Sequence, residues 1–162
     1  MRKEQKANYP ESARGAAALL VRMVLEDGAY TNIALNQYLR GSRLSDFDRR
    51  LATELVYGTV KASGTLDWYL AQCVSRPLDK VAGDILAILR ISTYQLLYMT
   101  RIPASAAVNE AVKLARSVSH EGSAKFVNGV LRGLLRKQEA GAFVLPDTEK
   151  QDADYLSLQY YH

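Results

Sequence analysis

The chain has 162 residues, 48% hydrophobic and 23% charged, enough for one domain with its own core and no metal or disulfide staple. Its single cysteine, Cys73, excludes an intramolecular disulfide framework and a CxxC-type zinc site, which suits a reducing cytoplasm. The net charge of +4 hides an asymmetry: residues 1–140 carry 20 Lys/Arg against 13 Asp/Glu, whereas residues 141–162 carry one Lys against four acids. The first part is therefore basic enough to attract polyanions.

Residues 1–10 read as a mobile basic arm, with Arg2, Lys3 and Lys6 ahead of Pro10 and no apolar stretch of a secretory signal. Glu11 to Glu26 is rich in Ala and Leu, and its positions Ala13, Ala16, Leu20, Met23 and Val24 fit a helical stripe. Asp27-Gly28 stops it, because glycine accepts the left-handed cap conformation. Tyr30 to Leu39 makes a second helix. Ser45-Asp46-Phe47-Asp48 offers a capped start for a third, running to about Lys61 with Phe47, Leu51 and Leu55 on one face. Ser63-Gly64 breaks it, Thr65 to Cys73 forms a short helix, and Arg76-Pro77-Leu78-Asp79 is a turn.

Val81 to Met99 is a long, mostly apolar helix, expected to be buried on several sides. Its most apolar part, Ile85 to Met99, contains Arg90 and is too short to span a bilayer. Ile102-Pro103 interrupts the pattern, and Ala104 to Val118 and Glu121 to Gln138 are two further helices. No run of strand alternation stands out. The expected fold is an all-α bundle of about seven helices over residues 11–140. Residues 141–162 read as a linker and the first part of a following domain, since Tyr155, Leu156, Leu158, Tyr160 and Tyr161 are apolar or aromatic with no visible partner.

No nucleotide-binding glycine loop, nucleophile elbow or HExxH occurs, and His120, at a helix end, and His162, at the chain end, have no nearby Ser, Cys or acid in a recognisable nucleophile arrangement. No catalytic, cofactor or metal residue is assigned, and the chain alone is expected to catalyse nothing. The candidates for chemistry are cations. At about 100° per residue, Phe126, Val127, Val130, Leu131 and Leu134 share one side of the last helix, while Lys125, Asn128, Arg132 and Arg136 form a stripe on the other. Three cations and an amide in a row could follow a phosphate backbone. They could equally be a solvated helix face. Lys3, Lys6 and Arg14 form a second, looser basic group, and Arg49-Arg50 with Lys61 a third, in which Arg49 could pair with Asp46 or with another helix. Tyr57, Tyr69, Tyr94 and Tyr98 fall on apolar faces and are expected in the core. Asn109 is expected to make an internal hydrogen bond.

The segments Leu89-Arg90-Ile91-Ser92-Thr93-Tyr94-Gln95-Leu96-Leu97-Tyr98, Val108-Asn109-Glu110-Ala111-Val112 and Lys125-Phe126-Val127-Asn128-Gly129-Val130-Leu131 together resemble the core of the NusB family of all-helical RNA-binding domains. The resemblance covers about Ser12 to Lys137. Asp48-Arg49-Arg50-Leu51-Ala52-Thr53-Glu54-Leu55-Val56-Tyr57-Gly58 and Thr65-Leu66-Asp67-Trp68-Tyr69-Leu70 look like the version found at the N-terminus of bacterial ribosomal RNA cytosine-C5 methyltransferases of the Sun/Fmu/RsmB type. That likeness implies a cytoplasmic domain, monomeric or weakly dimeric, that helps to place the enzyme on small-subunit (16S) ribosomal RNA and packs on a C-terminal methyltransferase domain. The S-adenosylmethionine cofactor and the cysteine nucleophile would belong to that domain. The alternative is a free NusB-type antitermination factor, which binds RNA together with a ribosomal protein and holds it by a basic arm. Arg14 occupies the comparable place here, although the arm is poorer in arginine.

Overall fold

A computed structural model describes residues 9–143. They form seven α-helices: α1 (Ala13–Asp27), α2 (Thr31–Arg40), α3 (Asp46–Lys61), α4 (Ser63–Ala71), α5 (Gly83–Tyr98), α6 (Ala104–Val118) and α7 (Glu121–Ala140). A single 3-10 turn, Leu78–Lys80, precedes α5, and no strand occurs among the described residues. The all-α reading from sequence is borne out. Lys3, Lys6 and the expected second domain lie outside the described residues.

Local chemistry sets the ends of these helices. The Ser12 hydroxyl accepts the Gly15 N–H at 3.0 Å and Ser45 accepts Asp48 N–H at 3.1 Å, each satisfying an orphan donor of a first turn. Gly28 closes α1 at φ 75°, a conformation that side-chain-bearing residues adopt only at a cost. Gly15 has a different reason. A β-carbon there would collide with the Pro10 carbonyl oxygen, so glycine lets the entering chain cross α1. The third and fourth helices are nearly continuous: only Ala62 separates Lys61 from Ser63, so Ser63-Gly64 opens α4 and does not form a loop.

Helix α5 is the axis of the fold. Ile85 to Leu89 and Ile91 to Thr93 are all buried, and α1, α3, α4, α6 and α7 pack around them. This is why its sequence is apolar on every side. Helices α6 and α7, linked by Ser119 and His120, form the most extensive helix pair, through Ala111, Leu114, Ala115, Ala124, Val127 and Leu131. Several polar ties cross this packing. Arg90 donates twice to Asp67, at 2.8 and 2.9 Å, joining α5 to α4. Buried Gln95 accepts Arg14 Nε at 2.9 Å and returns its amide to the Ile91 carbonyl at 3.0 Å. Lys137 Nζ donates to the Gln72 carbonyl at 2.6 Å, fastening the end of α7 beside the end of α4. Beyond α7, Phe143 sits on Tyr69 with ring centroids 4.8 Å apart and beside Trp68 at 6.2 Å.

Three further sequence expectations are corrected. Phe47 is 65% exposed and not packed with Leu55, because each four-residue step drifts about 40° around a helix and the stripe has left the core by the first turn. Tyr57 is 45% exposed, because it lies about 200° round α3 from fully buried Leu55. Asn109 stands on the exposed face of α6 and makes no side-chain hydrogen bond among the described residues. Cys73 is half-buried, and burial pushes its thiol up from the ordinary value against the opposing pull of Lys137.

Tyr9 anchors the root of the arm. It is buried and donates to the Asp84 carboxylate, which also accepts from Arg22. Burial, followed by the Asp84 carboxylate, pushes the Tyr9 hydroxyl well above the ordinary tyrosine range. The folded chain therefore holds this proton more tightly than the unfolded chain, whose tyrosine titrates near pH 10.0. The stabilisation is complete below that pH and is lost progressively as the pH rises above it. Tyr9→Phe is expected to make the alkaline decline in unfolding free energy shallower, with Tyr38 and Tyr94, also raised by burial, retaining part of it. Chemical denaturation at several pH values above 10 checks this, and equal slopes in the two proteins would contradict it.

Candidate nucleic-acid interface

Helix α7 divides as its sequence pattern requires. Val127, Val130, Leu131 and Leu134 are buried, whereas Lys125, Arg132 and Arg136 are exposed and Asn128 is half-buried. Arg132 Nε donates to Asn128 Oδ1 at 2.9 Å. The Asn128 amide nitrogen makes no side-chain hydrogen bond among the described residues. The structure therefore brings all four α7 candidates onto one accessible face. Lys137, one residue further, is withdrawn from it by its bond to the Gln72 carbonyl.

The surroundings of this face are mixed. Arg116 on α6 holds Glu121 through two bonds of 3.1 and 3.3 Å, and hydrogen bonding to Arg116 keeps that carboxyl below its usual range. The one acid in the first turn of α7 is thus already neutralised. Arg76, from the loop after α4, lies over the Phe126 ring at 4.8 Å. Sequence reasoning missed Arg76 because an arginine in an irregular loop carries no periodic signal.

The other basic candidates divide differently. Arg14 is half-buried and tied by Nε to Gln95, so it is partly a strut between α1 and α5. Arg49 donates to the Leu39 carbonyl at 2.8 Å and caps α2; the alternative of another helix is the one realised. Arg50 remains exposed. Arg101, also missed from sequence, is exposed and paired with Glu54 at 2.7 Å. Among the described residues no group of three or more His, Cys, Asp or Glu could hold a metal, and no helix is long and apolar enough to cross a membrane.

These features define a class first: a small domain, all-helical over the described residues, with a cation-bearing face on α7. The chain belongs to the NusB family, whose model matches residues 11–136. Among curated relatives it is 42% identical over 139 residues to a probable ribosomal RNA small subunit methyltransferase B from Synechocystis sp., covering 86% of this chain and 31% of the relative. It is 40% identical over 126 residues to a protein of the same name from Bacillus subtilis, covering 78% and 28%. The chain therefore spans about a third of the length of the curated relatives it matches. A crystal structure of the antitermination factors NusB and NusE in complex with double-stranded RNA contains a similar fold, at TM-score 0.71 and 20% identity, covering 78% of this chain and 95% of that one. At that identity the likeness concerns the fold alone.

Proposed function

We propose that this chain is the RNA-docking domain of a small-subunit ribosomal RNA cytosine-C5 methyltransferase, acting in the cytoplasm with 16S ribosomal RNA as its partner. The observation that carries the reading is the 42% identity to a relative named as a ribosomal RNA small subunit methyltransferase, of which this chain matches 31%. The similarity to NusB of the RNA complex is only 20%, so the free antitermination factor is the poorer reading. The α7 face supports a docking role. Lys125, Arg132 and Arg136 supply three point or forked charges for phosphates, and Asn128 an amide for a base edge or ribose hydroxyl. Arm residues Lys3 and Lys6, and Arg14 on α1, would add further cations for the polyanion.

S-adenosylmethionine belongs to the catalytic part of such an enzyme. The groove beside α3 carries Arg14, Arg50 and Arg101 against Glu54, an excess of positive charge that disfavours a sulfonium cation. No catalytic step is assigned to these residues.

Bisulfite sequencing of small-subunit ribosomal RNA tests the proposal. Disrupting the gene in its source cell is expected to abolish C5 methylation at one cytosine, and re-expression of the intact gene to restore it. An unchanged methylation pattern would overturn the reading.

A further inference from the structure

Helix α3 presents two large aromatic side chains to solvent, Phe47 and Tyr57, at 65% and 45% exposure. Phe47 stands at the rim of a groove of about 380 Å³ between α1, α3 and the turn after α5, floored by Leu51 and Met99. Arg14, Arg50 and Arg101 line it, with Glu54 as the single acid. Glu54 is already bound to Arg101, and Arg14 is held to Gln95 by Nε alone. Arg50 makes no ion pair among the described residues. The groove thus has an excess of two positive charges, an uncommitted guanidinium beside an exposed ring, and the volume of a small-ligand site. None of its lining residues belongs to α7.

We propose that this groove is a second RNA site, one that takes an unpaired nucleotide. The base lies against the Phe47 ring and its phosphate meets Arg50 and the free nitrogens of Arg14. Aromatic stacking tolerates any base, because every base has a π-face, and it requires the base to be out of a duplex. A polypeptide strand would use the apolar floor but would leave the surplus arginines without an anion. A nucleotide satisfies both halves of the groove. The inference rests on the RNA-docking reading and deepens it: α7 follows a backbone, and the α3 groove detects single-stranded character.

The test uses the 162-residue chain and a labelled single-stranded RNA of about ten nucleotides, with the blunt duplex of the same sequence as its control. Phe47→Ala is expected to weaken single-strand binding by about tenfold, with duplex binding unchanged. Arg50→Gln is expected to weaken single-strand binding and to reduce its salt dependence. Both positions are exposed, so melting temperature should hold, and it serves as the folding control. If both variants bind the single strand as the parent does while Arg132→Ala/Arg136→Ala fails, the groove inference is overturned and the docking reading stands. If the parent binds neither RNA, both fall. If Phe47→Ala spares RNA binding but loosens association with the methyltransferase domain, the groove holds protein and the inference is overturned.

Discussion

Arg132→Ala/Arg136→Ala is expected to lower the affinity of the chain for small-subunit ribosomal RNA fragments by roughly tenfold or more, and to make the salt dependence shallower. The physical basis is counterion release: each phosphate neutralised adds about 0.7–0.9 to the slope of log affinity against log salt. Two lost contacts should therefore remove about 1.4–1.8 from that slope. Both side chains are exposed, so their loss should change stability by no more than about 0.5 kcal/mol. Arg132→Ala also releases Asn128 Oδ1, which then accepts only from water. Titration of fluorescent RNA between about 50 and 200 mM salt measures both quantities. A folded double variant with the parent's affinity and slope would reject α7 as the RNA face. Lys137→Ala makes a useful contrast, because that cation is engaged with the Gln72 carbonyl and should affect stability more than binding.

The second large effect is the converse. Leu131 is fully buried between α7 and the rest of the bundle and neighbours Arg132 in sequence. Leu131→Ala removes most of that side chain and leaves a cavity in packing that cannot fully close, at a cost of about 2–5 kcal/mol. For a domain with this much helix-to-helix burial, that is a large share of a typical folding free energy. Denaturant unfolding should show a lower midpoint with an unchanged slope. RNA affinity per folded molecule should be retained, since Leu131 points away from the cationic face. A loss of stability under about 1 kcal/mol would mean that α7 is not packed as described. The two variants thus separate the two faces of one helix, one face carrying binding and the other the fold.

The parts of this molecule legible in the sequence are those determined by neighbours a few residues apart. The Ser45 cap, the Gly28 stop and the period of α7 are all of this kind, and the bounds of α6 were read as they stand. The polar ties were not legible, because their partners are chosen by packing. Asp67 and Arg90 are 23 residues apart, Glu54 and Arg101 are 47, and Arg14 and Gln95 are 81. Nothing within α5 itself marks Gln95, because its guanidinium partner comes from α1. The α7 candidates were legible as a stripe, but their availability depended on which neighbouring cations were already committed. Arg49, Arg116 and Lys137 have the same charge as Arg132 and are engaged elsewhere in the fold. Phe47 and Tyr57 misled for a related reason: an aromatic on an apolar stripe reads as core until the limits of the opposing helix are known.

The cluster of Trp68, Tyr69 and Phe143 has a practical consequence. Trp68 is the only tryptophan in the chain, and it is half-buried where the segment leaving α7 crosses α4. Its fluorescence is therefore an intrinsic optical reporter of that crossing. Any partner or larger assembly that draws Phe143 away from α4 will uncover the indole to water and move its emission to longer wavelength, with no label added.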